Sequence, residues 1–151
     1  MSYALDQDLY NTFGQKNIEK WADLDNDEDA GVIATRIAWA IEAADVYIDS
    51  RLQHRYEVPF ESIPKIIVLM SSLYAGVLLY DGRMVLQGST VRDEVATQRK
   101  MFDKYLHQIL RGQLRLLHPL SGELIALRSE NTPFITTQNS SESDDADQDC
   151  C

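Results

Sequence analysis

Cysteine is nearly missing from this chain. Its two cysteines, Cys150 and Cys151, sit side by side at the end of a polar stretch, where they cannot staple a core, and the chain reads as intracellular in origin. Histidine is equally sparse. His54, His107 and His118 have Arg51, Lys104 and Arg115 three residues upstream, so the acid-x-x-His pattern of di-iron bundles is missing. There is no phosphate-binding glycine loop, no Gly-x-Ser-x-Gly and no cysteine cluster. An enzyme reading therefore has no constellation to stand on, and no cofactor is expected. The N-terminal residues, with Asp6 and Asp8, lack the basic-then-apolar run of a signal peptide. No apolar run reaches the ~20 residues of a membrane span; the longest, Ile66 to Tyr80, is about 15. Bounded by Pro64-Lys65 and Asp81-Gly82, it is expected to be the buried centre of a bundle, without a membrane partner.

A basic face is also missing. The net charge is −10, but it is unevenly placed: Asp23 to Asp29 holds five acids, Glu142 to Asp149 five more, and neither holds a base. Setting those aside leaves 14 acids against 14 bases, a body close to neutral. Such a chain is no nucleic-acid reader. The aspartates at 23, 25 and 27 have the first three ligand spacings of an EF-hand, but Glu28 replaces the turn glycine and Ala34 the bidentate Glu. A solvated loop that places negative charge at the next helix N-terminus suffices.

What the sequence does have is helical periodicity. From Val32 to Tyr56, Ile33, Ile37, Ala40, Ile41, Ala44, Ile48 and Leu52 form one apolar stripe, with Val32, Trp39, Ala43 and Val46 roughly opposite. At about 1.5 Å per residue the run spans roughly 37 Å, against a radius of gyration near 15 Å for a domain of this length. The helix crosses the molecule and has two faces to cover, the second by another helix or another subunit. Asp45 and Asp49, one turn apart, could form half of a carboxylate metal site, but no second acidic helix to complete it is apparent. Solvated or interface-paired carboxylates are the plainer reading. Arg51 and Arg55 enter the apolar stripe near its end: either their stems cover apolar surface while the guanidinium groups meet terminal carbonyls, or they contact a neighbouring subunit.

Around this run, Tyr3 to Phe13 reads as a short helix stopped by Gly14, and Asn17 to Ala22 as another turn or two burying Ile18, Trp21 and Ala22. Pro59 and Pro64 make the segment between the long helices a stiff elbow. Asp81 to Ser89 is expected as a loop, and Val91 to Arg111 as a third long helix capped by Thr90 and closed by Gly112. Beyond it, Leu114, Leu116, Leu124, Ile125, Leu127, Phe134 and Ile135 are too apolar for a free tail, yet interrupted by Pro119, Gly122 and Pro133. They read as an extended arm or small β-hairpin that docks on a partner, and residues from Gln138 on as a disordered acidic tail. The expected architecture is an all-α helical bundle over residues 1–112, an arm over 113–137 and a tail over 138–151.

One ordered set of residues carries a family resemblance. Tyr3, Phe13-Gly14, Ile48-Asp49, Leu52, Arg55-Tyr56, Val58-Pro59 and Pro64 resemble the phage Mu-like head-to-tail joining (head-completion, adaptor) proteins of tailed bacteriophages, over roughly Ser2 to Gly112. The resemblance implies a structural protein of the virion neck, made in the host bacterial cytoplasm and joined into a ring, dodecameric by analogy. Its implied partners are the portal protein and the next neck or tail-terminator protein, with genomic DNA passing through the lumen without sequence-specific binding. Trp39, Val46, Arg51, Arg55 and Tyr56 are the candidate subunit contacts. Without the resemblance, the same composition suits a small all-α interaction or regulatory protein with no catalysis. A carboxylate metal enzyme would rest on Asp45 and Asp49 alone.

Overall fold

A computed structural model of the chain describes residues 2–87 and 93–128. Five helices follow in order: α1 (Asp6–Phe13), α2 (Gln15–Ala22), α3 (Ala30–Leu52), α4 (Lys65–Gln87) and α5 (Asp93–Leu110). The expected all-α bundle is what forms. Gly14, at φ +83°, ends α1 and opens α2 in one step, a conformation that costs glycine little. Asp29 caps α3, its carboxylate accepting from the Gly31 and Val32 amides at 2.8 and 3.1 Å. Helix α3 ends at Leu52 rather than Tyr56, and the following turn leads into the elbow.

Helix α4 is the centre: α1, α2, α3 and α5 all pack against it. Its glycine marks a close approach. A Cβ on Gly76 would lie 2.1 Å from the Phe13 ring, so the end of α1 rests directly on the α4 backbone. Two apolar cores result. One gathers Leu9, Ile18, Trp21, Ile37, Ile41 and Tyr80 near the acidic loop; the other gathers Ile48, Leu52, Tyr56, Phe60, Phe102 and Ile109 near the elbow. Tyr74 joins them, stacked between Tyr47 and Phe102 at centroid distances of 4.6 and 4.7 Å.

Three expectations change. The loop expected from Asp81 is helix as far as Gln87. Glycine in a helix costs about 1 kcal/mol, but continuing the helix buries Arg83 beneath the acidic loop, and that packing outweighs the cost. The extended α4 therefore contains a segment, Lys65–Val85, long and apolar enough to cross a membrane, so the length argument fails; its central position is settled by the four helices around it. Thr90 lies outside the described residues.

The third change is the arm. Residues 113–128 fold back onto the body as a hairpin with an isolated antiparallel bridge, Leu117 to Leu124. The Ile125 amide donates to the Leu116 carbonyl at 2.9 Å, and the Arg128 amide to the Arg55 carbonyl at 2.8 Å. Leu116 is fully buried, with Leu114 and Ile125 packed against the same core, so this part of the arm is docked on its own chain. Phe134, Ile135 and the acidic tail lie outside the described residues.

Candidate functional site

Apart from Phe13-Gly14, which lie at the first core, the motif residues gather at the elbow end, where Asp45 and Asp49 project from one side of α3. Asp45 is buried and accepts three hydrogen bonds: from the Tyr3 amide at 2.8 Å, from Ser71 Oγ of α4 at 2.5 Å and from Ser2 Oγ at 3.2 Å. One turn on, Asp49 accepts from the Tyr3 hydroxyl at 2.5 Å, and that hydroxyl accepts from the Phe60 amide at 3.2 Å. The Tyr3 and Tyr56 rings flank Phe60 at 5.8 and 6.1 Å. Burial raises the Asp49 pKa above the usual carboxylate range; the Tyr3 hydrogen bond opposes this and the Asp45 charge adds to it. Burial first, and the bond to Asp49 second, push the Tyr3 phenol well above its ordinary range, so the hydroxyl remains a donor. Asp45 is thus enclosed rather than solvated, while Asp49, bonded to Tyr3, is only partly buried. They lock the N-terminal segment and α4 to α3. Among the described residues, no group of three or more histidine, cysteine, aspartate or glutamate side chains is placed to hold a metal ion.

Sequence reasoning missed the donors. Tyr3 lies 42 residues from Asp45, but Ser71-Ser72, two small hydroxyls inside an apolar run, hinted that α4 faces an acceptor.

Of the candidate interface residues, three are occupied within the chain. Arg55 Nη1 donates to the Leu110 carbonyl at 2.9 Å, capping α5, and the guanidinium lies where a Cβ on Gly112 would come within 2.5 Å. This is the reading in which the charge meets terminal carbonyls, although the helix is a distant one. Arg51 turns back along α3, with Nη2 3.1 Å from the Tyr47 hydroxyl and its guanidinium carbon 5.1 Å from that ring's centroid. Tyr56, taken as a subunit contact, is instead 1% exposed: α3 stops at Leu52, and the turn that follows rotates Tyr56 into the core beside Phe60.

At the far end, two arginines fasten the acidic loop. Arg83 donates to the Asp23 carbonyl and, at 2.5 Å, to Asn26 Oδ1. Arg36 donates to the Ala22 carbonyl at 3.0 Å and pairs with Asp25 at 2.6 Å. Asp23 accepts from the Asp27 amide at 3.3 Å, so the Asp23 and Asp25 carboxylates are turned to different partners. The sequence did not single out Arg83.

What remains unpartnered faces outward. Trp39 and Val46 are 61% and 64% exposed, on the side of α3 away from Ile37, Ala44 and Ile48. The hairpin alternates: Leu116 and Ile125 point inward, while Leu117 and Leu124 stand out as a cross-strand pair with Leu120 at the turn and Leu127 beyond. The family described as bacteriophage Mu, Gp36 matches residues 3–132. The chain belongs to the bacteriophage Mu Gp36 family. No curated protein matches it. In this Gp36-family chain the matched region runs past Gly112, where the sequence resemblance weakens, and takes in the hairpin. The family makes it a phage protein of structural or morphogenetic type, and its motif residues serve the fold.

Proposed function

We propose that this Gp36-family protein is a head-to-tail connector: a structural, non-catalytic virion protein that forms a ring beneath the portal and extends the DNA channel toward the tail. The observation that carries this reading is the apolar ridge of Trp39 and Val46, left open on the helix that also supplies the core. A large aromatic on a rigid helix is the kind of anchor protein interfaces use, and a monomer leaves such a row uncovered only at a cost in solubility. The elbow lock and the arginine-fastened loop make the subunit a stiff wedge, which a ring under load from packaged DNA needs. A near-neutral body suits a lumen through which DNA passes without sequence-specific contact. The portal above and the next neck or tail-terminator protein below are the partners, and the resemblance suggests twelve subunits.

The test is made in the phage. Trp39→Glu combined with Val46→Glu should leave the helical circular dichroism of the purified protein unchanged, yet yield filled heads without tails. Antibody against the chain should label the neck of wild-type virions. Normal virion yield from the double variant, or absence of the chain from purified particles, would refute the connector reading and favour a small interaction protein acting in the cell.

A further inference from the structure

Two outward surfaces of this chain complement each other. A trough of about 550 Å³ runs beside α3, between that helix and the start of α1. Leu5 and Val46, 68% and 64% exposed, give it apolar surface, and Asp6, Glu42 and Asp49 give it negative charge. The second surface is the outer side of the hairpin, where the Leu117–Leu124 pair and Leu120, 91% exposed, stand beside Arg115. Among the described residues, neither Glu42 nor Arg115 has an ion-pair partner.

The geometry points to a second copy of this chain as the occupant: the hairpin of one subunit seats in the α3 trough of the next, its leucines against Val46 and Leu5 and its Arg115 toward Glu42. This rests on the ring reading and specifies the contact that closes it. The hairpin's outer leucines cannot turn into the trough of their own subunit, because Leu116 is fully buried in the core and the Arg128 amide is bonded to the Arg55 carbonyl, which fix the hairpin in place. Carboxylates in the trough repel phosphate, which disfavours DNA as the occupant. A contact between two different patches leaves one patch unfilled at each end of the assembly, so it propagates from subunit to subunit and closes where the rotation permits. A like-to-like contact would stop at a dimer.

Cysteine cross-linking tests this in the full-length chain with Cys150 and Cys151 replaced by serine. Val46→Cys and Leu124→Cys alter exposed side chains, and helical circular dichroism checks that the fold is kept. On oxidation, alone and with portal rings of the same phage, the double variant should give a ladder of dimer, trimer and higher species, and each single variant none. Dimers from Val46→Cys alone would mean like-to-like packing and would overturn the inference, as would no cross-link at all. Rings seen by native mass spectrometry without a ladder would remove this contact but leave the connector reading standing. No self-association with or without portal would remove both. In parallel, Glu42→Arg or Arg115→Glu should each weaken self-association about fivefold, the range for a solvated pair, with recovery in the double reversal. A double reversal no better than the singles would overturn the pairing.

Discussion

At the elbow end of the bundle, Asp45 and Asp49 draw donors from a segment more than 40 residues away, whereas at the acidic-loop end Arg36 and Arg83 reach out to a loop. In both places a long helix supplies the charge and an irregular segment supplies dipoles or a counter-charge, so the helices order the loops. The difference is depth. Around Asp45 two of the three donors, the Tyr3 amide and the Ser71 hydroxyl, are themselves enclosed, so losing the acceptor leaves them with nothing. The acidic loop is largely exposed, and groups released there regain water.

That contrast can be broken by substitution. Asp45→Ala should cost most, about 3 kcal/mol, because it strands the Tyr3 amide and the Ser71 hydroxyl together. Urea denaturation gives the value, and a loss below about 1 kcal/mol would mean that the lock is ornamental. Arg83→Ala should cost less, about 2 kcal/mol, and its effect should be local. Faster proteolysis within Asp23–Asp29, with unchanged protection of α3 in hydrogen exchange, is the expected pattern. A global loss equal to that of Asp45→Ala would erase the distinction between the two ends.

The smallest effect sharpens the comparison through pH. Burial raises the folded-state pKa of Asp49, so the folded protein holds this proton more readily than the unfolded chain does. The contribution to stability is complete below the ordinary carboxylate pKa of about 3.9 and is lost as pH rises through the elevated folded value. Asp49→Asn cannot titrate. The stability of wild type relative to this variant should therefore decline from pH 4 toward neutrality, modestly, since the side chain is only partly buried. A rise over the same interval would mean that the Tyr3 hydrogen bond, and not burial, governs the group.

Much of the fold was legible because it depends on local periodicity. The stripe from Ile37 to Leu52 is buried, the turn at Gly14 falls where the sequence puts it, and Trp39 and Val46 face out. What was not legible depends on residues far apart in the chain. Asp81-Gly82 reads as the bound of the apolar helix, and only the acidic loop 57 to 60 residues away makes a helix worthwhile there. Tyr56 lies on the extrapolated helix face, but a turn after Leu52 moves it inside. Along the hairpin, alternation was visible in Leu114 and Leu116, yet alternation alone does not say which of two apolar faces meets the body.

The seat of the Phe13 ring on Gly76 bears on how the chain is made. Phe13 leaves the ribosome 63 residues before the glycine that receives it, and Tyr3 leaves 57 residues before Phe60. Neither α1 nor α2 can hold a native position on a nascent chain that lacks α4, because the surface they rest on has not been synthesised. While α4 is still inside the ribosome, the emerged chain thus presents Phe13, Trp21 and the inner stripe of α3 to the cytosol, an attractive target for chaperones. Once α4 emerges, four helices find their common support within the same few seconds of translation, and the lock at Tyr3 can close behind them.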